Sequence, residues 1–238
     1  IRDRASYLQE FSRQISHEFK TPLAGIRGAV EVLQDHGHDM SGSDRERFLA
    51  NVAADAERLQ RLTQRLMELS RAELGAEAAV SVDLGDVVRK TAEQTNSLGL
   101  RIRSAELDAA PRVLSNAQAL QAVLEILLEN AAQHGASEVE VALAPSGRPA
   151  TVCVAVRDNG RGITPGNREK VFEPFFTTER DAGGTGLGLS IARALLQPLD
   201  GELRLADGEL TTFVIEVPEV PEVPATPGVG QARGEDAG

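Results

Sequence analysis

From Leu8 to Leu33 the apolar residues Leu8, Phe11, Ile15, Phe19, Ile26, Val30 and Leu33 mostly recur three or four positions apart, which marks one face of an amphipathic α-helix. The stretch DHGHDMSGSD breaks that pattern, and a second stripe follows through Phe48, Val52, Ala56, Leu59, Leu62, Leu66 and Leu69. Ser43, with Glu46 three residues on, is the expected capping box of this second helix. Two long helices with a short break between them predict an antiparallel hairpin over residues 1–75. Their stripes are too narrow to close a core alone, so the pattern predicts pairing with a second copy into a dimeric four-helix bundle.

After Gly75 the pattern shortens. It predicts a strand around Val80 to Leu84, a helix from Asp86 to about Ser97, a strand near Arg101 and a helix from Ala117 to His134. Strands over 137–144 and 151–157 follow, then the loop DNGRGI, a helix over 186–197, and closing strands in GELRLAD and TTFVIEVP. This mixed order predicts an α+β fold over residues 76–217, distinct from the hairpin. The segment PEVPEVPATPGVGQARGEDAG has regularly placed prolines and little bulky apolar content, so residues 218–238 are expected to form an extended, disordered tail.

Charge and cysteine usage narrow the function classes. A formal net charge of −11 argues against a general nucleic-acid partner, which needs a basic face. Any phosphate site must then be local. The single cysteine, Cys153, lies in the apolar run TVCVAV and reads as a buried thiol in a reducing compartment. No run approaches the ~20 apolar residues of a membrane span, and no signal peptide is evident. The chain reads as a soluble, cytoplasmic piece with no membrane contact of its own.

The stretch SHEFKTPL places His17 about 200° around the helix from Ile15 and Phe19, away from the apolar stripe. A lone helical histidine is usually a solvated or core residue. This one is joined by Glu18, by Thr21 on the same face, and by Pro22, which cannot donate to the Glu18 carbonyl. An imidazole keeps a nucleophilic lone pair at neutral pH, and a neighbouring carboxylate can take its proton.

Three further stretches point to a nucleotide. In LLENAAQHG, Asn130 offers a carbonyl oxygen suited to a hard cation such as magnesium. In RDNGRGI, Asp158 is placed to accept from an exocyclic amine such as that of adenine, with Gly160 and Gly162 turning the backbone beside a flat ring. In GGTGLGLSIARALL, the run Gly184, Thr185, Gly186, Leu187 and Gly188 leads straight into an apolar helix, whose N-terminus favours phosphate. The spacing is not that of a Walker loop. Between the last two lies VFEPFFTTERDAGG, read as a mobile lid packed by Phe172 and Phe175.

Together these stretches resemble the catalytic portion of bacterial two-component sensor histidine kinases: SHEFKTP resembles that family's H box, LLENAAQHG its N box, DNGRGI its G1 box, VFEPFF its F box and GTGLGLSIA its G2 box. The resemblance implies a dimerisation and phosphotransfer hairpin joined to an ATP-binding α/β sandwich of the gyrase, chaperone and histidine-kinase type. It implies His17 as phosphoacceptor, Glu18 as its acid/base, Asn130 on magnesium, Asp158 on adenine and the glycine run on the phosphates of ATP. It also implies an aspartate of a response regulator as the next acceptor, and Thr21 as the residue that orients water for dephosphorylating that partner. The parent protein is then expected in the inner membrane.

The N box departs from the family. Ile126 stands where a polar residue, often asparagine, is usual, and Gln133 where a lysine often stands. ATP binding is expected to survive, with slower transfer or greater reliance on Arg180, Lys170 or His134, although His134 at a helix end also fits a purely structural role. His36 and His38 read as solvated loop residues. The alternatives are a kinase-weak scaffold or phosphatase that binds a regulator, and an ATPase of the gyrase type, against which the SHEFKTP hairpin speaks.

Overall fold

The computed structural model describes residues 2–73, 79–105, 107, 111–179 and 184–220. Two long helices, α1 (Arg2–His36) and α2 (Gly42–Glu73), form the hairpin. Pro22 lies inside α1 without ending it. Helix α2 is capped two residues earlier than its sequence suggests. The Ser41 hydroxyl accepts from the Asp44 amide at 3.1 Å and donates to the Asp44 carboxylate at 2.7 Å. That reciprocal pairing leaves Ser43 inside the helix and displaces the expected Ser43/Glu46 box.

The rest of the chain is a two-layer unit. Its strands are β1 (Val80–Val82), β2 (Arg101–Ala105), β3 (Val113–Ser115), β4 (Glu138–Ala144), β5 (Thr151–Asp158), β6 (Glu202–Leu205) and β7 (Thr211–Pro218). Its helices are α3 (Leu84–Gln94), α4 (Ala117–Gln133) and α5 (Gly188–Leu196). The main sheet runs β2-β4-β5-β7-β6, with β2 parallel to β4 and the other pairs antiparallel. A small antiparallel pair, β1-β3, stands apart.

Period-two alternation turns Val152, Val154 and Val156 of β5 and Phe213, Ile215 and Val217 of β7 to one face, where they share a hydrophobic cluster with Val123 and Leu127 of α4 and Ile191 of α5. The opposite face carries ion pairs, Arg157 with Glu140 at 3.3 Å and Arg204 with Glu216 at 2.7 Å. Cys153 is buried. The hairpin is docked on this unit: α2 packs against α5, and Leu62 of α2 is itself a member of the cluster, 1% exposed.

Several boundaries differ from the sequence pattern for local reasons. Asp83 caps α3, its carboxylate accepting from the Asp86 amide at 3.1 Å, so Leu84 opens the helix and does not close β1. Helix α5 starts at Gly188 because Gly186 has φ 67°, a left-handed conformation outside any right-handed helix. Strand β3 was not legible as a strand. Pairing also continues past the expected end of the domain: Glu219 bridges Val113, and the Val220 amide donates to the Arg112 carbonyl at 2.9 Å. The remainder of the proline-bearing segment, 221–238, lies outside the described residues.

Candidate active site

Two hollows meet at one loop. The first, about 310 Å³, lies between the C-terminal half of α4, the segment after β5, the loop over 176–179 and the start of α5. The second, about 400 Å³, is an open groove between α1 and the stretch Glu173 to Phe176. Phe176 borders both.

Of the residues expected at a nucleotide, Asn130, His134, Gly162, Gly184, Thr185, Gly186 and Gly188 border the first cavity. Ile126 and Gln133, the two N-box departures, border it as well. Asp158, Gly160 and Leu187 do not. Leu187 is a buried core residue. The Asp158 carboxylate turns onto its own loop and accepts from the Gly160 amide at 2.9 Å. Burial pushes the Asp158 carboxyl above the usual carboxylate range, an effect opposed by the Gly160 hydrogen bond and by nearby His134. Gly160 is required there sterically, since a Cβ would lie 2.9 Å from both the Asp158 Oδ1 and the His134 carbonyl oxygen. Lys170 is exposed and does not border the cavity, and Arg180 lies outside the described residues.

The F-box segment was expected to be a lid packed by Phe172 and Phe175, and both rings are packed in its described part. Phe172 is held between Phe213, at 6.1 Å edge-on, and the Arg193 guanidinium, 3.6 Å from its ring centre. Phe175 is buried with φ 65°, and its amide donates to the Gly186 carbonyl at 2.8 Å. A Cβ on Gly186 would run into the Phe175 backbone. A left-handed conformation at a bulky residue is strained and needs its surroundings to hold it. Here the glycine-rich turn does so, joining the F and G2 boxes.

The groove collects Arg13, His17 and Glu18 of α1 opposite Glu173, Pro174 and Phe175. His17 is exposed, as its helical position predicted. The Thr21 hydroxyl, also exposed, donates to the His17 carbonyl at 3.3 Å and does not border the groove. Glu18, the expected acid/base, is buried. It is 6% exposed, and its carboxylate accepts from Arg58 of α2 at 2.9 Å. The Arg58 Nε is buried without a partner.

The structure adds residues that the motifs did not single out. Arg161 sits inside the quoted RDNGRGI. Its guanidinium donates to the carbonyls of Gln133 and His134, both at 3.4 Å, and to Glu179 at 2.7 Å, tying the end of α4 to the lid. Glu129 and Arg61 also line the cavity. Arg61 belongs to α2, so no motif of the second domain points to it.

Two family models match parts of the chain. Residues 7–75 match the His Kinase A (phospho-acceptor) domain model, and residues 115–221 match the Histidine kinase-, DNA gyrase B-, and HSP90-like ATPase model. The chain is 32% identical over 234 residues to the sensor histidine kinase GlrK of Escherichia coli K12, covering 92% of this chain and 49% of that one. It is 30% identical over 222 residues to the sensor-like histidine kinase SenX3 of Mycolicibacterium smegmatis, covering 88% of this chain and 57% of that one. The chain thus spans about half the length of the curated relatives it matches. Among solved structures, the histidine kinase ThkA in complex with response regulator TrrA is similar with TM-score 0.71 and 23% identity, over 93% of this chain and 65% of that one. The Acinetobacter baumannii histidine kinase AdeS follows with TM-score 0.65 and 20% identity, over 85% and 98%.

Proposed function

The chain belongs to the sensor histidine kinases of two-component systems, as the catalytic core that joins a phosphoacceptor hairpin to an ATP-binding domain, and from that premise we propose that it transfers the terminal phosphoryl group of ATP to His17. The observation that carries this reading is the shared wall at Phe176. A nucleotide-sized cavity and the groove holding the exposed imidazole lie on two sides of one anchored loop.

A lone pair of the His17 ring attacks the γ-phosphorus, the bond to the bridging oxygen breaks, and ADP leaves. The proton on the other ring nitrogen passes to a carboxylate, for which Glu18 is the adjacent residue. Its ion pair with Arg58 holds Glu18 on the groove wall. Phosphoryl transfer needs mainly alignment and charge neutralisation. The glycine run from Gly184 to Gly188 brings backbone amides to the cavity, and Asp158 is assigned to the adenine through the loop it braces.

Asn130 would hold a magnesium ion. Among the described residues there is no cluster of three or more His, Cys, Asp or Glu side chains able to bind a metal, and Ile126 removes a polar group from the cavity wall. A sparse donor set still fits this ion, which keeps several waters and takes most remaining ligands from substrate phosphates. When bound it supplies neutralisation of the phosphate charge.

Phosphohistidine would then pass its group to an aspartate of a response regulator. The structural likeness to a kinase bound to its regulator supports a receiver-domain partner. Thr21, exposed one turn beyond His17, suits the orientation of water for the reverse, phosphatase activity. Leu23, Val30, Leu49 and Met67 stay exposed on the single hairpin, which supports a homodimer. No described helix is long and apolar enough to cross a membrane. We assign this core to the cytoplasm, where ATP is found, with the anchor elsewhere in an inner-membrane parent.

Incubation with radiolabelled ATP tests the reading. The protein should acquire acid-labile label that His17→Gln abolishes, and Thr21→Ala should keep labelling while losing regulator dephosphorylation. Ile126 in the cavity favours one second reading, a kinase-weak scaffold or phosphatase. Nucleotide uptake without labelling, alongside intact dephosphorylation of a regulator, would select it.

A further inference from the structure

Helix α2 belongs to the phosphoacceptor hairpin, yet Arg61 lines the nucleotide cavity of the other domain. Among the described residues it is the hairpin's contribution to that wall. Its position is set by the next residue, because Leu62 is buried in the hydrophobic cluster that α2 shares with α5. With Leu62 inserted, the Arg61 stem is carried to the rim of the cavity and its guanidinium stays partly solvated, with 45% of the side chain exposed.

The charge balance of the cavity gives that cation a use. Glu129 and Glu179 are on its wall, and both oppose a polyphosphate. The N box contributes Ile126 and Gln133 where the family usually has a polar group and a lysine. Arg161 is engaged by Glu179 at 2.7 Å and by two backbone carbonyls. Arg61 is held less firmly. Its ion pair to Glu57 is 3.9 Å long and largely exposed, a geometry that contributes little. Exchanging it for a phosphate oxygen costs little and gains a charge-assisted hydrogen bond.

We propose that Arg61 is a positioning residue for the nucleotide's polyphosphate, supplied by the hairpin in the docked arrangement, so that bound ATP bridges the two domains. The proposal rests on the ATP-kinase reading above. Phosphate contact by Arg61 then favours the arrangement in which Leu62 is inserted, and loss of the terminal phosphate weakens it. The same residue would report to the hairpin whether the cavity holds a triphosphate or a shorter product.

Calorimetric titration of the full chain with a non-hydrolysable ATP analogue and, separately, with adenosine in magnesium buffer tests this. Arg61→Ala should weaken analogue binding about tenfold, the size of one charge-assisted hydrogen bond, and leave adenosine binding unchanged. Arg61→Lys should recover part of the loss, and raised salt should narrow the gap between wild type and Arg61→Ala. Arg61→Gln, which keeps the packing stem, serves if Arg61→Ala fails to fold and should behave like it. Unchanged analogue affinity in Arg61→Gln would overturn the proposal, as would an equal loss for analogue and adenosine, which would mark a packing role. A wild-type chain that takes up neither ligand would instead sink the ATP reading on which the proposal stands.

Discussion

In the sandwich, Val123, Val139, Leu203 and Val217 are fully enclosed, whereas Leu23, Leu49 and Met67 on the hairpin are each about half exposed. The sandwich completes its core within one chain, with sheet and helices burying each other's apolar faces. Among its described residues the hairpin buries Ala29 and Leu62 and packs Ile15 and Phe19 against the core, while Leu23, Leu49 and Met67 stay open. Polar groups divide in the same way. The outer face of the sheet pairs its charges locally, while the hairpin presents His17 and Thr21 to whatever docks there. One region completes its core within the chain, and the other keeps apolar and reactive side chains at its surface.

This contrast can be broken most forcefully from the sandwich side. Phe213→Ala removes a fully buried ring that also holds Phe172, and should cost about 4 kcal/mol in urea unfolding. A loss below about 1 kcal/mol would mean that the core is looser than its burial implies. Arg58→Ala should rank next. It strands the buried Glu18 carboxylate, a loss of about 3 kcal/mol for a pair this enclosed. Arg58→Lys should recover part of it. Equal stability of all three proteins would show that the pair is solvated.

On the hairpin the effect should appear in assembly. Leu23→Ser combined with Met67→Ser should leave the unfolding of the sandwich within about 0.5 kcal/mol of wild type. The same protein should dissociate at higher concentration in analytical ultracentrifugation. An unchanged sedimentation profile would place the dimer seam elsewhere or remove the dimer.

The smallest expected effect is a pH slope. Burial holds the Asp158 carboxyl above its ordinary range, so the folded protein keeps that proton where the unfolded chain has lost it. This contribution to stability therefore falls as pH rises from about 4, the unfolded value. Asp158→Asn removes it. The difference in unfolding free energy, variant minus wild type, should shift in the variant's favour between about pH 3 and about pH 7. A pH-independent difference would contradict the assignment.

The two regions were also unequally legible in the sequence. Apolar spacing alone exposed both long helices and the outward face of His17, because a helix of 3.6 residues per turn sorts its faces by position. The capping of α2 was misplaced by two residues, since Ser41 and Ser43 both satisfy the local pattern and only the Asp44 pairing separates them. In the sandwich, the longer strands β4, β5 and β7 showed themselves, but β3 has three residues and a partner more than 30 positions away in β1.

The glycine-rich motifs marked the cavity because glycine is demanded by backbone approach, a constraint carried within a few residues. Arg58 and Arg61 were invisible for the opposite reason. Their roles arise only when α2 meets α1 and α5, and an arginine on a helix surface carries no local sign of what it will face. Asp158 shows a further limit. Its motif was plain, but the hydrogen bond of its Oδ1 to the Gly160 amide was not.

Mass spectrometry of the full chain under alkaline conditions after incubation with Mg·ATP tests the central claim most directly, because it reports where the phosphoryl group has gone. The peptide spanning SHEFKTPL should carry one phosphate, on His17, lost on brief acid treatment. A phosphoryl group on any other residue, or an unmodified chain under conditions where nucleotide binding is measured, would contradict the account.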